Sequence, residues 1–113
     1  MSTDKQSRID AIFQSYRNSL PNLMAELTLL QEKLNTEWDI DQAVEFDRKV
    51  HNLAGSAATF ELEKIGTAAR KLEQSFKPLV HAEYNAANPR LAESNQLLVL
   101  LRATIESDLA DSA

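Results

Sequence analysis

Residues 62–79, with the sequence LEKIGTAARKLEQSFKPL, contain the clearest secondary-structure signal in the chain. Apolar side chains recur there every three or four residues, which is the spacing that places them on one face of an α-helix. Polar and charged residues fill most of the other positions. The segment therefore predicts an amphipathic helix whose buried face is formed by Leu62, Ile65, Ala69, Leu72, Phe76 and Leu79.

Similar apolar stripes run through the amino-terminal part of the chain, at residues 9–20 and 23–34. Pro21 lies between them. Proline lacks the backbone N–H that continues a helix, although it fits well in a first helical turn. We therefore predict that one helix spans about residues 4–20 and that a second helix begins at Pro21.

Two further helices are predicted from their starting residues. Asp39 is a good amino-terminal cap for the third helix, and Asn88 followed by Pro89 is a good start for the last one. With only 2 Gly and 3 Pro in 113 residues, the chain has too few turn residues for a protein of short strands. The predicted fold is all-α: an up-and-down four-helix bundle over about residues 21–110 with an additional N-terminal helix, in a single domain of residues 1–113.

Composition excludes several classes of function. The chain has 12 basic and 17 acidic residues, a net charge of −5, which opposes nucleic-acid binding and favours basic or mixed-charge protein partners. It has no cysteine, and its two histidines, His51 and His81, lie in no compact pattern of metal ligands, so no metal site is expected. No apolar run is long enough to span a membrane and no signal-peptide core is evident, so no membrane association and a cytoplasmic location are expected.

His51 opens the segment HNLAGSAATF, residues 51–60, and lies at the edge of the apolar face of its predicted helix. An edge position leaves the imidazole partly exposed on a backbone anchored in the bundle. Gly55 follows one helical turn later, although glycine inside a helix costs about 1 kcal/mol relative to alanine. The glycine suggests that something approaches the imidazole, whereas an isolated boundary histidine is more commonly an ordinary surface residue.

The run HNLAGS, residues 51–56, resembles the signature of histidine-containing phosphotransfer (HPt) domains, His-x-Leu-Lys-Gly-Ser followed by small residues. The resemblance implies the helical bundle of that family and a phosphoryl group accepted by His51. It also implies a docking surface for receiver domains around the histidine, which we expect to include Arg48, Asn52, Gly55 and Ser56.

In the same family a glutamate or glutamine on the following helix often hydrogen-bonds the second ring nitrogen of the histidine. Glu73 occupies that position here. The resemblance therefore implies that Glu73 orients the imidazole of His51. The alternative is that Glu73 is a solvated helix residue that pairs with Lys77, four positions later.

The chain departs from the family pattern at two positions. Ala54 stands in place of the signature lysine, so we expect a basic residue of the next helix to compensate the phosphoryl charge. Arg70 is the first candidate by spacing, and Lys71 and Lys77 are the others. Glu61 stands where the family commonly has the glycine that closes the turn between the two helices, which predicts a tighter or more helical turn.

The expected function follows from the resemblance and from what the chain lacks. It has no glycine-rich nucleotide loop and no Walker-type motif, so it is predicted to be a phosphocarrier without a kinase site, and not an enzyme. His51 would carry the phosphoryl group between receiver-domain aspartates in a two-component multistep phosphorelay. The expected partners are receiver domains of response regulators and of hybrid histidine kinases. The receiver would supply magnesium, and this chain is expected to be a monomer without a cofactor.

Two other functions stay open. A module with the HPt shape could dock a kinase or a receiver without carrying phosphate, and the lysine missing at Ala54 favours that hypothesis. A helical structural protein with no relay role is the simplest alternative. A phosphotransfer assay against a panel of receivers would separate these hypotheses.

Overall fold

The computed structural model describes residues 2–81 and 89–111. The described residues form four α-helices and no strand. Helix α2 packs on α3, α3 packs on α4, and α1 closes the bundle against α2 and α4. The all-α bundle predicted from the apolar stripes is therefore confirmed. The helices span Ser2–Thr36 (α1), Ile40–Thr59 (α2), Glu63–His81 (α3) and Pro89–Asp111 (α4).

Helix α1 passes through Pro21 without ending, so the prediction of a separate N-terminal helix over about residues 4–20 is wrong. Proline inside a helix costs about 3 kcal/mol, because it removes a backbone hydrogen bond and clashes with the preceding turn. Here both flanking turns are anchored in the same core, since Leu20 is 1% exposed and Met24 is 5% exposed. Full burial of a side chain of that size contributes about 1.5–3 kcal/mol, so the buried residues on both sides offset the cost of a continuous helix.

The first turns of α1 are poorly covered by the rest of the chain. The predicted stripe includes Ile9 and Ile12, but these side chains are 46% and 56% exposed. Phe13 and Tyr16 are half-buried because both rings pack on Phe60, with centroid distances of 5.2 and 4.2 Å. These aromatic contacts join the early part of α1 to the carboxyl end of α2.

Helices α2 and α3 approach each other closely where their residues are small. A Cβ atom added to Gly66 would lie 3.4 Å from the backbone oxygen of Ala54 and 3.5 Å from the backbone nitrogen of Ala58. Ala54 and Ala57 are themselves buried. This close approach fixes α2 against α3, and it thereby determines which side chains of α3 lie beside His51.

The turn from α2 to α3 has the geometry that favours glycine, although Glu61 occupies it. Glu61 has a φ of 63°, in the left-handed region. The backbone N–H of Leu62 donates to the oxygen of Ala57 at 2.8 Å, and that of Glu61 donates to the oxygen of Ala58 at 3.2 Å. This pair of bonds is the Schellman motif that ends many helices, so the turn is not the tighter or more helical one expected from the substitution.

The starts of α2 and α4 agree with their sequence signals. Asp39 caps α2, and its Oδ1 atom accepts from the backbone N–H groups of Asp41 and Gln42. Helix α4 begins at Pro89, whereas the predicted cap residue Asn88 lies outside the described residues. None of the helices in the described part of the chain is long and apolar enough to cross a membrane.

Candidate functional site

His51 lies in the middle of α2 with 66% of its side chain exposed. The backbone around it is held firmly, because the neighbouring Val50 and Leu53 are 0% and 2% exposed. The helix therefore presents an accessible imidazole on a rigid support. This arrangement suits a group that must meet a partner molecule in a fixed orientation.

Glu73 of α3 lies directly beside the imidazole. Its Oε2 atom is 2.5 Å from His51 Nδ1, and only 14% of the Glu73 side chain is exposed. A carboxylate can only accept a hydrogen bond, so Nδ1–H is the donor in this pair. The remaining ring nitrogen, Nε2, then has a lone pair available for nucleophilic attack. The short bond to a largely buried carboxylate thus sets both the tautomer and the direction of the ring.

Lys77 is the basic residue next to this pair. Its Nζ atom is 3.6 Å from Glu73 Oε2, and half of its side chain is exposed. Arg70 and Lys71 are exposed, and neither makes an ion pair with the residues that the structure describes. Among the three candidates for charge compensation, Lys77 is the one that forms an ion pair with Glu73, the residue bonded to the imidazole.

Ala54, at the position of the family lysine, belongs to the interface between α2 and α3. It is 4% exposed, and its backbone oxygen faces Gly66 across the closest approach of the two helices. A lysine here would have to extend its ammonium group out of a packed interface. The small residue is therefore explained by the packing of the bundle.

The four residues predicted to form the docking surface have different surroundings. Arg48 and Asn52 are exposed, and no hydrogen bond or ion pair to the described residues holds either side chain. The Cβ position of Gly55 has no atom within 4 Å. Ser56 is half-buried instead, and its Oγ atom lies 2.6 Å from the hydroxyl of Tyr16. Ser56 thus links α2 to α1, while the other three residues face open space.

Tyr16 was not among the predicted site residues, although its hydroxyl reaches the helix that carries His51. Burial raises the pKa of Tyr16, and the hydrogen bond with Ser56 partly opposes that rise. The sequence gives Tyr16 only as one member of an apolar stripe. Its polar contact depends on how α1 crosses α2, and no local pattern contains that information.

Asp47 is a second residue that the sequence analysis missed. It lies on α2 one turn before His51 and is half-buried, and its Oδ1 atom is buried without a hydrogen-bond partner among the described residues. Burial raises the pKa of the Asp47 carboxyl; Lys77 opposes this shift and Glu73 adds to it. The spacing of one helical turn from His51 was the available signal, but the burial follows only from the packing of α3.

No group of three or more potential metal ligands occurs in the part of the chain described here.

Comparison with protein families gives a match to the Hpt domain over residues 11–110. Comparison with curated proteins gave no match, and comparison with solved structures gave none either. The matched range includes most of α1, all of α2 and α3, and all of α4 except its last residue. This chain belongs to the Hpt domain family, whose members are phosphocarrier modules of histidine phosphotransfer in phosphorelay signalling.

Proposed function

We propose that His51 accepts a phosphoryl group from a receiver-domain aspartate and passes it to the aspartate of another receiver. The observation that carries this proposal is the bond of His51 Nδ1 to Glu73, which leaves Nε2 free on an exposed ring. In the transfer, the lone pair of Nε2 attacks phosphorus and the P–O bond of the aspartyl phosphate breaks. The aspartate leaves as a carboxylate, and the proton stays on Nδ1.

Glu73 has a defined part in this proposal. Forming the Nε2–P bond places positive charge on the ring, and a carboxylate bonded to Nδ1–H stabilises that charge. The same contact favours the return step, because a positively charged ring is a better leaving group than a neutral one. One carboxylate thus supports transfer in both directions.

Gly55 supports a docking surface around His51. Glycine at this position costs about 1 kcal/mol of helix stability relative to alanine. No atom of the described chain lies within 4 Å of its Cβ position, so the chain itself does not require a glycine there. A partner that closes over the imidazole would need that space. Arg48 and Asn52 are exposed on the same helix and would contribute polar contacts, whereas Ser56 would act by holding α1 against α2.

The charge needed at the phosphoryl group would come mainly from the partner. Ala54 offers none, so we propose that Lys77, half-exposed beside Glu73, moves toward the phosphoryl oxygens as they arrive. Magnesium would be bound by the receiver. The proposal includes response regulators and hybrid histidine kinases as partners, a cytoplasmic location and a monomeric state.

The proposal is tested by incubating the protein with receiver domains phosphorylated by acetyl phosphate. We expect acid-labile, base-stable label on the protein. His51→Gln should abolish the label while thermal unfolding stays close to wild type, because the side chain is 66% exposed. His81→Gln is the matched control and should label normally. Label that survives His51→Gln would contradict the assignment.

A second candidate function is a docking module that binds receivers or kinases without carrying phosphate. The buried Ala54 favours it, since no ammonium group of α2 lies beside the acceptor at that position. This function predicts measurable binding of a receiver with no transfer of label to His51 from any receiver of the panel.

A further inference from the structure

The carboxylate of Asp47 lies one helical turn before His51, in surroundings that disfavour its negative charge. Of the carboxylates in residues 2–81 and 89–111, it is the one with a buried oxygen that lacks a hydrogen-bond partner. Leaving a buried acceptor without a hydrogen bond lowers the stability of the folded state. The ionised side chain therefore destabilises the folded chain, and no bond to the described residues offsets this. A functional role of Asp47 in the neighbouring site would account for a carboxylate at this position.

The charged groups that shift the pKa of Asp47 lie on α2 and α3. Lys77, Glu73 and His81 face it from α3, and His51 follows it on α2. No charged group of α1 or α4 among the described residues acts on it. When Asp47 and Glu73 are both ionised, two carboxylates surround one ammonium, so the imidazole has an excess of negative charge beside it.

We propose that Asp47 is a positioning residue of the phosphotransfer site, whose negative charge disfavours retention of the phosphoryl group on His51 and so favours its onward transfer. The inference rests on the proposed function. Asp47 and His51 are four residues apart on α2 and so share one side of the helix. A phosphoryl group on Nε2 would bring negatively charged oxygens to that side, and like charges repel. Glu73 is different, because its bond to Nδ1–H compensates the ring charge.

The test measures how phosphate distributes at equilibrium between this protein and one phosphorylated receiver, from pH 8 down to pH 5.5. At pH 8, Asp47→Asn should hold about 2–5 times more phosphoryl group on His51 than wild type does. The difference should shrink as the pH is lowered toward the pKa of Asp47, which burial raises above its usual value. Equal distributions of phosphate for wild type and Asp47→Asn at pH 8 would overturn the inference.

Glu45→Gln is the matched control. It also removes one negative charge from α2, but Glu45 is exposed and lies 3.9 Å from Lys49, away from the imidazole. We expect it to distribute phosphate as wild type does. If wild type and Asp47→Asn both fail to take label from any receiver, the proposed function and this inference fall together. If both take label equally at every pH, only the inference falls.

A folding measurement separates this role from a structural one. Since the pKa of Asp47 is raised in the folded chain, its ionisation costs stability as the pH rises from the unfolded-state pKa through the folded-state pKa. Asp47→Asn should therefore unfold in urea at no lower concentration than wild type at pH 7. A large loss of stability would show that Asp47 is needed for the fold and would contradict the assigned role.

Discussion

The two glycines of the chain lie in opposite environments. Gly66 is buried, and a Cβ atom there would lie 3.4 Å from the backbone oxygen of Ala54. Gly55 is exposed, and its Cβ position has nothing within 4 Å. Neither glycine has a positive φ. A Cβ atom at Gly66 would make ordinary van der Waals contacts with α2, so the packing there excludes only larger side chains. No atom of the described chain occupies the space beside Gly55. Under the proposed function, the open space at Gly55 would be left for the partner that approaches His51.

The largest expected effect is on stability, and the same substitution at both glycines tests it. Gly66→Gln would push a side chain into the backbone of α2, so we expect the free energy of unfolding to fall by about 3 kcal/mol. Gly55→Gln should raise it by up to about 1 kcal/mol, because glutamine is the better helix former and the space is open. Urea unfolding followed by circular dichroism measures both. If both substitutions change the free energy of unfolding in the same direction and by similar amounts, the two glycines do not differ as described.

The second effect is on partner binding. Gly55→Gln should weaken binding of an unphosphorylated receiver at least about tenfold, or 1.4 kcal/mol, because the added side chain stands where the receiver approaches the imidazole. Titration calorimetry measures the affinity. Ala103→Gln, at an exposed position of α4, should bind as wild type does. If Gly55→Gln binds and transfers normally, the docking explanation of Gly55 is wrong.

The smallest effect concerns Glu61, where the backbone favours a glycine that the chain lacks. Its φ of 63° is strained for a residue with a Cβ atom. We expect Glu61→Gly to raise the free energy of unfolding by about 1 kcal/mol. Glu61→Ala keeps the Cβ atom and should stay within about 0.5 kcal/mol of wild type. Thermal unfolding of the two variants separates the effect of backbone strain from the effect of losing the carboxylate. Equal shifts of the melting temperature in both variants would show that the carboxylate, and not the strain, is responsible.

Local sequence signals predicted most of the fold. The stripe of α3 and the Asp39 cap of α2 act within a few turns, and the structure agrees with both. Pro21 was misinterpreted because the cost of a proline is local, while the burial of Leu20 and Met24 that offsets it depends on the rest of the bundle. The turn at Glu61 was misjudged for a related reason, since its conformation is imposed by the helices on either side.

The site was predictable to the extent that it follows helical spacing. His51 and Glu73 could be paired from the resemblance, and the structure has their side chains in contact. Spacing could not show which base pairs with Glu73, because Arg70 and Lys77 both flank it on α3; the structure shows an ion pair with Lys77. Asp47 was missed because its importance comes from burial, which no local pattern encodes.

The central claim is that Glu73 holds Nδ1 so that Nε2 receives the phosphoryl group. The most direct measurement is nitrogen and phosphorus NMR on protein with ¹⁵N-labelled histidine rings, after transfer from a phosphorylated receiver. His81→Gln leaves a single histidine, so the signals are unambiguous. We predict phosphorus coupled to Nε2 of His51, with Nδ1 still protonated. Phosphorus coupled to Nδ1 would contradict the account.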